Sequence, residues 1–254
     1  MTKRHLGQNF LYDSSILKRI IQSAGLSEED TVVEIGPGPG RLTRMLAETV
    51  KKLIAIELDP ELHERLKGDF IAYSNVEITH GDALRFPFET LGKFKVVANI
   101  PYYITTPIIF RLLDAKQYLK SMTLTIQKEV AERIVAQPGG KDYGVLTIMI
   151  QYFAQAELMF IIPKEAFRPV PKVDSAVVHM NILERPRVLV RDEKIFFRLV
   201  RTAFSQRRKT LSNSLKSISG DIKGVLLRAG IDPHRRPETL SIEEFASLSD
   251  YLAD

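Results

Sequence analysis

The sequence predicts an α/β protein: a Rossmann-like domain with a mostly parallel sheet over residues 1–184, then a small all-α domain over 185–254. Three observations carry this. Short buried-strand patterns alternate with helical ones along the first part of the chain, which implies right-handed βαβ units. One of those strands, Thr31–Ile35, runs into a glycine turn at Gly36, Gly38 and Gly40, and a helix pattern follows at once. The alternation then stops near Glu184–Pro186 and only helical stripes continue.

Taken in order, Asp13 caps a helix over Ser14–Ala24, whose Ile16, Leu17, Ile20 and Ile21 have helical spacing. The glycine-turn strand comes next, then a strand over Leu53–Glu57. Asp59 caps and Pro60 opens a helix to about Gly68. Strands are expected at Val76–Thr79, Phe94–Ala98 and Met122–Ile126, and helices at Thr106–Asp114 and Lys128–Ala136. Pro138-Gly139-Gly140 is a loop, and the apolar run Gly144–Phe153 reads as helix. Met159–Ile162 and Ala176–Ile182 close the sheet around Phe167-Arg168-Pro169-Val170-Pro171. From Lys194, the stripe Ile195, Phe196, Leu199, Val200, Ala203, Phe204 opens the helical part, broken later at Gly220, Gly230 and Asp232-Pro233.

Composition excludes several chemistries. The 254 residues contain no cysteine, which removes disulfides, thiolate zinc sites and cysteine nucleophiles and fits a reducing cytoplasm. No apolar run approaches the ~20 residues of a membrane span, and the N-terminus has no signal-peptide core. The five histidines form no close sequence pair, so no metal is expected. Net charge is +5; residues 1–184 balance at 22 basic and 22 acidic, while 185–236 hold 14 basic against 4 acidic. A neutral body with a concentrated basic segment suggests a polyanion partner, set against the plainer reading of a solvated helical face.

A strand–glycine-turn–helix unit binds a nucleotide at the carboxyl edge of the sheet. The spacing here is G-x-G-x-G rather than the dinucleotide G-x-G-x-x-G, which favours S-adenosylmethionine (SAM) over NAD. Glu57 stands 21 residues after Gly36 and can accept both ribose hydroxyls; Asp82, after the next strand, can reach the adenine amino group. Asn9 and Leu11 lie outside the sheet and can fold over the cofactor. Taken singly, each acid is equally well a helix cap or a loop end.

Asn99-Ile100-Pro101-Tyr102 is the sharpest motif. An exocyclic adenine amine is a poor nucleophile because its lone pair is delocalised into the ring. It needs two acceptors for its two N–H bonds, and the Asn99 side-chain oxygen and Ile100 carbonyl suit that task. Pro101 stiffens the turn, so the acceptors are placed before reaction. Tyr102 offers one ring face for a base and Phe167 the opposite one, stacking being worth ~1–3 kcal/mol per base.

These motifs resemble the rRNA adenine N6,N6-dimethyltransferases, most closely the KsgA family acting on small-subunit rRNA. The likeness runs through GQNFL (7–11), EIGPGPG (34–40), IELD (56–59), GDAL (81–84), NIPYYITTP (99–107), FRPVPKVDSAV (167–177) and AFSQRRKTLSNSL (203–215). It implies a class I SAM-dependent methyltransferase domain. It implies SAM contacts at Asn9, Leu11, Gly36, Glu57, Asp82 and Asn99, with S-adenosylhomocysteine as product. It implies target-base contacts at Asn99, Tyr102 and Phe167. The family places four methyls on two adjacent adenosines in the 3′-terminal hairpin loop of small-subunit (16S) rRNA, in ribosome biogenesis. Expected partners are therefore small-subunit rRNA and the immature small ribosomal subunit. No membrane is expected, and the protein is expected to be a cytoplasmic monomer.

Two positions depart from the family pattern. Ile100 replaces the commoner Leu, as in the Erm large-subunit (23S) methylases, and Ser212 stands where a basic residue is frequent, which puts one RNA contact in question. The densest basic point, Arg207-Arg208-Lys209, follows the apolar stripe and is the expected RNA-docking surface, on the premise that it is helical. Alternatives are an Erm-type methylase, a non-catalytic ribosome-assembly factor, and an NAD oxidoreductase. The last is disfavoured by the glycine spacing and by the lack of an evident hydride-site set.

Overall fold

The structure is a computed structural model that describes residues 9–206 and 208–253. In chain order its elements are β1 (Phe10–Leu11), α1 (Ser14–Ser23), β2 (Thr31–Ile35), α2 (Arg41–Ala47), β3 (Lys52–Glu57), α3 (Pro60–Asp69), β4 (Val76–His80), β5 (Phe94–Asn99), α4 (Thr105–Asp114), β6 (Leu119–Gln127), α5 (Lys128–Val135), α6 (Val145–Phe153), β7 (Ala154–Ile162), β8 (Phe167–Arg168), β9 (Ser175–Ile182), α7 (Glu193–Phe204), α8 (Leu211–Ser214), α9 (Ile222–Arg228) and α10 (Ile242–Tyr251).

The expected caps form. Asp13 accepts from the Ser15 and Ile16 N–H groups at the start of α1, and Asp59 does the same for Glu61 and Leu62 ahead of Pro60 in α3. Seven strands make one sheet in the order β4-β3-β2-β5-β6-β9-β7. The pairs β2–β3, β3–β4, β2–β5 and β5–β6 are parallel and β6–β9 is antiparallel. Strand order reverses between β2 and β5, so a crevice opens past their carboxyl ends, where Gly36 and Asn99 stand. On one face Leu17 and Ile20 of α1 and Leu42 and Leu46 of α2 pack with Val32, Leu53, Val97 and Val177 of the strands.

The chain divides into two compact units. The first is Met1–Ala131 with Glu157–Ile182; the second is Glu132–Ala156 with Leu183–Asp254. Residues 132–156 group with the helical unit, although they lie within the 1–184 span expected for the sheet-bearing domain. The reason is visible in its core. Tyr143, Ile148 and Tyr152 pack with Phe196, Leu199, Leu226 and Phe245, so the mostly apolar run 144–153 belongs to that core.

Three local expectations change. Phe10–Leu11 and Phe167–Arg168 pair antiparallel as a separate two-stranded sheet, with Leu11 opposite Phe167. Helix α7 ends at Phe204, and Arg208 and Lys209 lie in the turn after it, so the helical premise does not hold for these two residues. Ser205 stops the helix, its hydroxyl donating to the Thr202 carbonyl at 2.7 Å. Ser212 is buried in α8, where a cation would have no solvent to reach.

Candidate active site

Gly36, Gly38 and Gly40 all take positive φ, so the turn doubles back sharply after β2. Its amides are drawn onto β3: Gly36 N–H donates to the Ile56 carbonyl at 3.0 Å, and Gly38 N–H to Glu57 Oε2 at 3.1 Å. Glu57 Oε1 accepts from the Leu58 and Asp59 N–H groups at 2.9 and 3.0 Å, and the side chain is 1% exposed. Backbone donors thus fill three of the about four acceptor positions of the carboxylate, leaving room for one ribose hydroxyl where two were expected. Asp82 Oδ1 accepts from Leu84 N–H at 2.9 Å, which fixes the turn after β4.

Three clefts meet at Gly36. One, of about 390 Å3, is lined by Glu57, Leu58, Gly81, Asp82, Ala83, Pro101 and Tyr103. A second, of about 300 Å3, is lined by Asn9, Phe10, Asn99, Ile100, Pro101 and Tyr102. A third, of about 380 Å3, is lined by Phe10, Leu11, Leu17, Glu34, Pro37, Arg41 and Asn99. Gly36 borders all three, so a ligand spanning them passes over bare backbone. Every sequence-predicted cofactor residue (Asn9, Leu11, Gly36, Glu57, Asp82 and Asn99) therefore lines this connected crevice.

Asn99 closes β5, and its Nδ2 donates to the Asn9 carbonyl at 2.9 Å. A carbonyl only accepts, so this bond decides which way the amide faces and leaves Oδ1 as an acceptor. Next along the chain, Ile100 N–H donates to the Thr125 carbonyl at 3.1 Å, and Pro101 O accepts from Ile104 N–H at 3.1 Å. The motif is held to the sheet on one side and closed into a helical turn on the other. Tyr102 is held by a 2.7 Å hydrogen bond between its hydroxyl and Ser175 Oγ. Burial pushes the Tyr102 phenol up, with the Ser175 bond opposing and the Asp174 charge adding, so it stays neutral.

Phe167 corrects an expectation. Its ring is 0% exposed and packs in the core with Leu11, Leu17 and Val177. As the fold stands it offers no face to a base. Its backbone, paired with Leu11, holds the segment that carries Asn9 and Phe10 in place. Leu11 is likewise buried, so its side chain serves the core as well as the cleft wall.

Arg208 and Lys209 are exposed and line an open cleft with Phe204, Ser205 and Gln206. Arg207 lies outside the described residues. Among the described residues no three His, Cys, Asp or Glu side chains gather as metal ligands, and no helix is long and apolar enough to cross a membrane.

Glu34 borders the crevice as well, although the strand pattern alone marks it only as part of TVVEI. It is 1% exposed in β2, its Oε2 has no hydrogen-bond partner among the described residues, and it lines the third cleft. Burial pushes its carboxyl up to about 8, partly offset by the Thr43 hydroxyl and reinforced by the Glu57 charge. The signal was an acid inside the otherwise apolar TVVEI, which is costly unless something needs it.

A parallel sheet with a glycine turn, an acid ending the next strand and Asn-Ile-Pro-Tyr at the switch point defines a nucleotide-cofactor methyltransferase of the amine-methylating kind. The chain belongs to the ribosomal RNA adenine dimethylase family, whose model matches residues 1–254. It is 51% identical over 258 residues to the ribosomal RNA small subunit methyltransferase A of Clostridium botulinum (strain Loch Maree / Type A3), covering 99% of this chain and 94% of the relative. The corresponding Clostridium acetobutylicum protein is 47% identical, covering 98% and 93%. Among solved structures, a dimethyladenosine transferase from Plasmodium falciparum matches with TM-score 0.81 at 29% identity, covering 94% of this chain and 95% of that one. The 23S rRNA methyltransferase ErmE matches with TM-score 0.77 at 28% identity, covering 97% and 100%. The protein is an rRNA adenine dimethyltransferase.

Proposed function

We propose that the protein dimethylates N6 of two adjacent adenosines in the 3′-terminal hairpin loop of small-subunit (16S) rRNA, on the immature subunit, as a step of ribosome biogenesis. SAM is the methyl donor and S-adenosylhomocysteine the product. Relatives named as small-subunit enzymes reach 51% identity, against 28% for the large-subunit enzyme ErmE, which supports this substrate over the Erm alternative. We assign the protein to the cytoplasm as a monomer, with no metal.

The residues fit the cofactor. Glu57 and Asp82 supply acceptors for an adenosine in the first cleft, Gly36 gives close backbone approach, and Asn9, Leu11 and Glu34 border the amino-acid end. When bound, the cofactor supplies an electrophilic methyl carried on a sulfonium. The chain's own part is to place the amine. Asn99 Oδ1 and the Ile100 carbonyl accept its two N–H bonds and hold the nitrogen toward sp³, with its lone pair free. Tyr102, pinned by Ser175, supports the base by its ring. A base held in a stack cannot reach a site recessed between Asn9, Asn99 and Tyr102, so the adenosine is flipped out.

The observation that carries this reading is the Asn99 amide, oriented in advance by the Asn9 carbonyl. The test is mass spectrometry of rRNA after incubating the purified chain and SAM with immature small subunits and, separately, with large-subunit rRNA. Dimethyladenosine is expected in the small-subunit hairpin. Asn99→Ala should lower the single-turnover rate by roughly 10²-fold while RNA affinity changes little. Methylation of large-subunit RNA instead would favour the Erm alternative, and no transfer to either would leave an assembly factor.

A further inference from the structure

Tyr102 and Tyr103 are adjacent in one turn, yet the structure sends them to different clefts. Tyr102 lines the cleft of Asn99, half-buried, with its hydroxyl held by Ser175. Tyr103 lines the cleft of Glu57 and Asp82 and is 57% exposed. No hydrogen bond among the described residues holds its hydroxyl. Leu58, a second exposed apolar side chain, borders the same cleft. Burial, the Asp82 charge and the Glu57 charge all push the Tyr103 phenol up, so it stands in the field of both acids. A slot with carboxylate acceptors inside and an uncovered aromatic ring at its mouth has the chemistry of a purine nucleoside site: acceptors for hydroxyls and an amine, a flat face for the base.

Resting on the methyltransferase reading above, we propose that Tyr103 covers the adenosine half of the cofactor and sets affinity for the cofactor, not for the RNA base. The two tyrosines of one motif then serve two ligands, Tyr102 the target adenosine and Tyr103 the cofactor adenosine. The ring does this work, because its hydroxyl has no partner to bring. Since donor and product share the adenosine, Tyr103 holds both alike.

The test is calorimetry on the full chain with three probes: SAM, S-adenosylhomocysteine and 5′-methylthioadenosine, which lacks the amino-acid end. Tyr103→Ala should weaken all three by roughly 5- to 150-fold, the range for loss of one base–ring stack. Tyr103→Phe should keep most of the affinity. In steady state, KM for SAM should rise in the Ala variant while KM for RNA holds. Unchanged affinity for all three probes, or a rise confined to the KM for RNA, would overturn the inference and return Tyr103 to the RNA side. Should Tyr103→Ala not fold, Tyr103→Leu keeps bulk without a flat ring and carries the same test. A wild-type chain that bound none of the probes would overturn the cofactor reading itself, a different failure from an altered Tyr103.

Discussion

At the scale of single residues, Glu34 shows what the site costs the fold. In the unfolded chain its carboxyl ionises near 4.5, but in the folded protein it holds its proton to about 8. Between those values the unfolded state binds fewer protons than the native one, so stability falls as pH rises from about 4.5 to 8. Below that window both states are protonated and the penalty vanishes. Glu34→Gln keeps the shape and removes the titration. Its stability relative to wild type should climb across the window, by on the order of 4 kcal/mol. Urea denaturation of both proteins at pH 5 and pH 8 reads this, and parallel pH slopes would sink it. The same scale shows what was legible. The placement of Gly36, Glu57, Asp82 and Asn99 could be read because a strand end is a fixed point: count from one and the residue lands on one edge of the sheet. Phe167 could not, because nothing local to FRPVP says whether an aromatic ring faces a ligand or the core; only the pairing with Leu11 decides it.

At the scale of elements, the two-residue strands β1 and β8 carry no periodicity and so left no trace in the pattern. Yet they determine the geometry of the crevice. Phe10 of β1 sits so close over the glycine turn that a Cβ on Gly38 would fall 2.5 Å from its ring. Its neighbour Asn9 supplies the carbonyl that orients Asn99. Gly38→Ala should therefore push β1 off the turn, loosen Asn99 and lower SAM affinity. Gly25 is the control. It also has positive φ, 55° against 57°, but a Cβ there meets nothing within 4 Å. Both substitutions carry the backbone penalty of roughly 1–2 kcal/mol, and only Gly38→Ala should also weaken the cofactor. Melting curves with calorimetry separate the two effects. Equal SAM affinity in both variants would mean that β1 does not govern the site. The longer elements were legible for the opposite reason: Asp13, Asp59 and Pro60 mark helix starts with chemistry that acts over three residues.

At the scale of the molecule, the partition of charge was readable from the chain while the partition of its cores was not. Sequence order cannot say that 132–156 returns to the helical unit, because an apolar run fits either core equally well. The structure also sorts the cations. Arg187 pairs with Glu243, Arg228 with Asp221 and Arg235 with Glu244, so these answer acids within their own unit. Arg208 and Lys209 have no such partner among the described residues, stand exposed in a turn and border an open cleft. That local geometry replaces the helical argument for them: a turn projects both side chains outward without the need for a particular helix face. Each phosphate they neutralise should contribute roughly 0.7–0.9 to the slope of log K against log salt. The double change Arg208→Ala with Lys209→Ala should therefore weaken binding to immature small subunits and flatten that slope by up to about 1.4–1.8. Neither residue is in a core, so the melting temperature and SAM affinity should stay where they were. Binding measured from low to moderate salt is the check. A slope equal to wild type would make the pair a solvated turn, and the RNA contact would have to come from other exposed cations of the unit, such as Lys194, Arg198, Lys216, Lys223 and Arg236.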